Sequence, residues 1–117
     1  MIDTLKALSE ESRLRILALL IDGDMCVCDI ESELKMTQSN VSRHLSALRN
    51  SGIVDCKKKA QWAYYGINEQ FKLDNQYLWL FLKENLSQPP YSEESRTQNQ
   101  LAHGEGNAEY LSTFKVL

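Results

Sequence analysis

The chain has 117 residues, with 13 basic against 16 acidic side chains and a formal net charge of −3. That length suits one domain with a modest core, and the total charge gives no hint of a nucleic-acid partner. Its longest apolar runs, 16–21 and 77–82, are six residues each and exclude a bilayer-spanning helix.

Leu5 and Leu8 sit at helical spacing in a short first segment. Ser9 is placed to cap the next helix, with Glu10 and Glu11 in its first turn. Leu14, Leu17, Ala18 and Ile21 make one apolar face of that helix, and Gly23 ends it. A short helix over 27–34 carries Ile30 and Leu34 four apart. Lys35 and Met36 form a tight connector, and Thr37 can cap a further helix whose buried face is Val41, Leu45 and Leu48. Gly52 stops it.

Residues 53–59 and 62–67 read as two strands. Ala60–Gln61 is poor chemistry for a two-residue hairpin, so a turn one or two residues longer is expected. A last helix is expected from about Asp74, as its cap, to Leu86, where Pro89 and Pro90 forbid continuation. The domain is thus 1–87. Residues 88–117 are polar and rich in turn formers, and read as a mobile tail.

Two short helices joined by a three-residue turn, then a basic hairpin, is the order of a winged helix-turn-helix. The fold expected is mostly α with a small β-hairpin, in the order ααααββα. Local charge agrees. Between Lys35 and Lys59 lie six basic residues against one acid, Asp55. With Val41, Leu45 and Leu48 inward, Ser39, Ser42, Arg43 and Ser46 point outward, flanked by Gln38 and Asn40. These side chains suit base edges and phosphates, and Lys57, Lys58 and Lys59 suit the backbone of double-stranded DNA. His44 falls between Val41 and Leu48 on the wheel and reads as a half-buried structural histidine. "YLWLFL" in the last helix is apolar on every side, which calls for burial all round. A second copy of the chain is the simplest cover, giving a homodimer through the first and last helices.

Cys26 and Cys28 stand one residue apart at the start of a helix. Their spacing alone admits three readings: small buried hydrophobes, a redox switch, or a thiolate pair for a soft ion. On a regular helix i and i+2 lie about 200° apart, so they can clasp one ion only from an extended or unwound turn. Cys56 lies on the first wing strand. The segment near Cys26 should pair beside the second wing strand, leaving Cys56 about 10 Å away. Other third donors are a small thiol, water, Asp29 or a tail group such as His103. No nucleophile–base pair, phosphate loop or supported carboxylate pair is present, which argues against an enzyme.

The segments "LKALSEESRLRILALL", "CVCDI", "MTQSNVSRHLSALRNSGIV" and "WAYYGIN", from Leu5 to about Leu86, resemble the ArsR/SmtB family of small dimeric winged-helix repressors that sense metals and metalloids. The resemblance implies a cytoplasmic repressor with no membrane partner and no cofactor needed for DNA binding. It would bind operator DNA as a homodimer and be released by As(III) or Sb(III) at Cys26 and Cys28. Cd(II), Pb(II) or an oxidant are the alternatives within the same fold. Three departures bear on the inducer. Glu31 stands where the arsenite sensors carry a third cysteine, the cysteines of an N-terminal extension are absent, and the last helix has no histidine.

Overall fold

In the computed structural model, which describes residues 1–88 and Tyr91, apolar residues at helical spacing build the first half of the chain. Helix α1 (Ile2–Leu8) leads into α2 (Glu11–Leu20), then a two-residue strand β1 (Met25–Cys26), α3 (Val27–Leu34) and α4 (Gln38–Asn50). Strands β2 (Val54–Lys59) and β3 (Trp62–Ile67) form the hairpin, followed by α5 (Glu69–Asp74) and α6 (Gln76–Leu86). This is a winged helix-turn-helix, with α3 and α4 as the helix pair and β2–β3 as the wing.

Helix α4 begins where the Thr37 hydroxyl accepts the backbone N–H of Asn40 at 3.2 Å. Val41, Leu45 and Leu48 are all fully buried. They meet Ile16 and Leu17 of α2, Ile30 of α3 and Ile53 in one core. Beyond the last turn Gly52 adopts φ 77°, a left-handed conformation that suits glycine and turns the chain into the wing.

The sheet has the order β1-β3-β2, antiparallel throughout. Met25 pairs with Tyr65 and Cys26 with Tyr64; on the other edge Cys56 pairs with Tyr65 and Lys57 with Tyr64. Directly paired residues share a face, so Met25, Tyr65 and Cys56 form one row, and Cys26, Tyr64 and Lys57 the opposite one. Met25 and Tyr65 pack against the core, which makes theirs the inner face.

Several expectations need correction. Ser9 does not cap α2: its hydroxyl donates back to the Lys6 carbonyl as the C-cap of α1, and Glu10 is the N-cap of α2. The wing turn is no longer than Ala60–Gln61, because Lys59 pairs directly with Trp62. Ala60 is therefore forced to φ 58°, at a cost of about 1–2 kcal/mol for an L-residue. The last helix is two helices. Asn68 caps α5 by accepting the Phe71 N–H at 2.7 Å, and Asp74 ends α5 instead of starting α6. The element order thus gains β1 and α5 over ααααββα.

Helix α6 buries only Leu82 and Leu86 fully, while Tyr77, Leu80 and Phe81 stay exposed. Apart from Gln88 and Tyr91, the expected tail, with His103, lies outside the described residues. Among the described residues no helix is long and apolar enough to cross a membrane.

Candidate functional site

The outer face of α4 carries Gln38, Ser39, Asn40, Ser42, Arg43 and Ser46, all exposed. Burial of Val41, Leu45 and Leu48 on the other side fixes this orientation. Among the described residues, His44 is the one polar or charged side chain classed as buried, at 3% exposure, deeper than the half-burial expected.

The environment of His44 explains how burial is tolerated. Arg13 of α2 donates from Nε to His44 Nδ1 at 3.2 Å, so Nδ1 accepts and the ring proton sits on Nε2. Arg43 brings a guanidinium nitrogen to 3.4 Å from Nε2. Both are donors in this tautomer, so Arg43 is a neighbour there and not a partner, and its donors remain available outward. Arg13 is itself held by Glu10 at 2.8 Å. Burial, then the Arg43 charge, lowers the His44 pKa below its ordinary 6.5; Glu10 opposes this and Arg13 adds to it.

The wing lysines 57, 58 and 59 are exposed but do not share one face. Lys57 and Lys59 lie on the outer face with Cys26 and Tyr64, and Lys58 on the inner face opposite Ala63. Lys59 Nζ stands 5.8 Å from the centroid of the Tyr64 ring. Lys57 Nζ is 3.8 Å from Asp24 Oδ2. Sequence reasoning missed Arg13, Asp24 and Tyr64. Their roles rest on strand pairing and on contacts between residues 31 and 33 positions apart, which no local pattern signals.

Cys26 is at once the end of β1 and the N-cap of α3, with extended backbone (φ −82°, ψ 161°) and no side-chain capping bond. Cys28 lies in the first turn of α3 and is exposed; Cys26 is half-buried. Because Cys26 stands outside the helix, the 200° separation of a regular helix does not hold the two thiols apart. Cys56 is brought no nearer. It lies across the middle strand and in the inner row, two inter-strand steps or about 10 Å off. Burial and the Cys56 thiol raise the Tyr65 pKa above 10, with Arg49 opposing. Among the described residues no three His, Cys, Asp or Glu side chains converge as a metal site. The donor set is two thiols, which fits a soft, thiophilic ion that can take a further ligand from solution.

Residues 5–55 match the family model for bacterial regulatory proteins of the ArsR family. The arsenic resistance transcriptional regulator ArsR1 of Pseudomonas putida is 36% identical over 66 residues, covering 56% of this chain and 52% of that protein. The chain thus spans about half the length of that relative. The cadmium resistance regulatory protein CadC of Listeria innocua is 35% identical over 82 residues, 69% of each chain. Among solved structures, a homodimeric winged helix-turn-helix DNA-binding domain from Mycobacterium bovis, described as a possible ArsR-family regulator, superposes with a TM-score of 0.60. It is 29% identical, over 72% of this chain and 79% of that one.

Proposed function

Because the chain belongs to the ArsR family of bacterial regulatory proteins, we propose that it is a homodimeric transcriptional repressor, working in the cytoplasm, that As(III) or Sb(III) releases from operator DNA at Cys26 and Cys28. The observation that carries this reading is the position of the two thiols. One caps the helix that braces α4 and the other sits in its first turn. A thiophilic ion bonded to both would tie the end of β1 to the first turn of that helix and so act on the helix start. Helix α3 packs on α4 through Ile30, so the strain reaches the face that bears Arg43. The third position on the ion would be filled from solution by a small thiol or water.

Gln38, Ser39, Asn40, Ser42, Arg43 and Ser46 would read base edges and position α4. Lys57, Lys58 and Lys59 would meet phosphates. The second copy would cover the open side of α6 and the neighbouring α1. Leu5, Leu8, Leu78 and Phe81 there line an apolar groove that a monomer leaves wet. The Mycobacterium bovis relative supports this, since it is described as homodimeric.

The cadmium relative, matched over more of both chains than the arsenic regulator, favours Cd(II), within the Cd(II) or Pb(II) alternative, as a second reading. One titration separates the inducers. DNA release is followed by fluorescence anisotropy on an operator selected from random duplexes. The reduced protein is titrated with arsenite, antimonite, cadmium, lead and zinc in turn. Arsenite or antimonite should release wild type and fail on the Cys26→Ala/Cys28→Ala double variant. Release of that double variant by arsenite rejects the site. Release by oxidant alone, reversed by a reductant, moves the function to thiol redox.

A further inference from the structure

We propose that Tyr64 is the positioning residue that links the thiol site to the wing, so that a ligand on Cys26 also re-aims Lys57 and Lys59. The proposal rests on the reading of Cys26 and Cys28 as inducer ligands, and adds a second route by which the signal reaches DNA.

Two chains of contact run from β1 into the wing. In the first, Cys26 pairs directly with Tyr64, and Tyr64 pairs on its other edge with Lys57. Lys59 Nζ lies near the same ring, 5.8 Å from its centroid, within the range at which a cation is drawn to an aromatic face. In the second, Asp24 immediately precedes β1 and crosses the outer face of β3 at Gly66. A Cβ at Gly66 would collide with the Asp24 carboxylate, so glycine is what lets the carboxylate pass. Its Oδ2 ends 3.8 Å from Lys57 Nζ. Two of the three wing lysines are therefore held by groups on β1, next to it or paired with it.

Strand β1 is the weak member of the sheet. It has two residues, each with one partner on β3, against six residue pairs between β2 and β3. A ligand bonded to both Cys26 and Cys28 draws the end of β1 toward the first turn of α3. The Cys26–Tyr64 pair is the pairing nearest that pull. When it opens, Tyr64 loses the neighbour on one edge, and Asp24 moves with the segment and leaves Lys57. The lysines then no longer stand where phosphates require them, and affinity falls for any DNA sequence. Lys58, on the inner face, belongs to neither chain of contact and serves as the internal control.

The test uses the full chain with arsenite as the probe, and two readouts. Amide hydrogen exchange is measured over residues 57–66 without DNA, with and without arsenite. The coupling ratio is the DNA affinity without arsenite divided by that with it. Arsenite should speed exchange over 57–66 in wild type. The coupling ratio, typically about 5–150-fold, should fall by at least about threefold in Tyr64→Val. It should survive in Tyr64→Phe, which keeps the ring, and in Lys58→Gln, which only weakens DNA binding. Arsenite stoichiometry should be the same in all of them. Asp24→Asn, at an exposed position, should also lower the ratio and carries the test if Tyr64→Val does not fold. Arsenite binding with DNA release, but unchanged wing exchange and unchanged coupling in the folded variants, overturns this link and leaves the thiol site standing. No arsenite binding by wild type overturns both.

Discussion

Arg13 donates its Nε hydrogen to Nδ1 of His44 across 3.2 Å, joining α2 to the buried side of the helix that presents Arg43. A protonated His44 has no acceptor to offer, and it would face two guanidinium groups, Arg13 and Arg43, against the one carboxylate of Glu10. Burial, with these charges beside it, holds its pKa below 6.5 in the folded protein. The unfolded chain therefore binds the proton more readily. The stability this contributes is present above about pH 6.5 and is lost as pH falls from there through the folded pKa. Urea midpoints measured between pH 7.5 and 5.5 should decline, and His44→Gln, which keeps an acceptor but cannot titrate, should decline less. Equal slopes in the two proteins would show that His44 does not set the pH dependence. His44→Ala should cost about 1–3 kcal/mol at neutral pH by leaving Arg13 Nε without its acceptor.

Cys26 occupies a helix N-cap without making a capping bond. Serine there can accept an orphan N–H of the first turn, whereas alanine cannot. Cys26→Ser should exceed Cys26→Ala in stability by about 0.5–2 kcal/mol in urea denaturation. Both should lose the arsenite response. Equal stability would mean that the start of α3 cannot accommodate a cap.

Ala60 holds φ 58° in a two-residue turn. Ala60→Gly relieves that conformation, partly offset by the greater freedom of glycine in the unfolded chain. A net gain of about 0.5–1 kcal/mol is expected in thermal unfolding, and Ala60→Val should lose stability. A gain from valine would place the turn in another conformation.

Arg43 is exposed on α4 and its donors are free of His44 Nε2. Arg43→Ala should weaken operator binding with little change in the urea midpoint. Lys57→Gln with Lys59→Gln should weaken binding to every duplex and flatten the salt dependence, by about 0.9 in log–log slope for each phosphate that a lysine no longer neutralises. Wild-type operator affinity in Arg43→Ala would reject the proposed recognition face.

Phe81 is 61% exposed on α6, beside Leu5 and Leu78 in the apolar groove. Phe81→Asp would place an unpaired charge in the proposed dimer interface, which costs several kcal/mol. Sedimentation should then find a monomer. A stable dimer would put the interface on another surface.

Much of this arrangement was legible in the linear chain because its causes are local. Val41, Leu45 and Leu48 lie at helical spacing, so the burial of one side of α4 and the exposure of Arg43 on the other follow from periodicity. Thr37 could be read as a cap because a capping hydroxyl acts three residues away. The second wing strand follows from its aromatic residues and Ile67, whereas the first has only Val54 at its start to mark it. Helix α5 was not legible. At six residues it is shorter than the window in which periodicity shows, and only Asn68 signals its start.

What the sequence by itself determined is most of the elements, β1 and α5 excepted, the outward face of α4 and the pairing of two cysteines at a helix start. Each depends on interactions spanning a few residues. Only the tertiary structure decided what those elements face. The segment near Cys26 pairs beside the second wing strand as expected, but its register, which puts Cys26 beside Tyr64 and Cys56 on the opposite face of the sheet, comes from the fold. The packing of α2 on α4 brings Arg13 to His44 and turns a half-buried histidine into a buried acceptor. Contacts between residues tens of positions apart are set by how whole helices and strands fill one core, and that packing leaves no periodic trace in the chain.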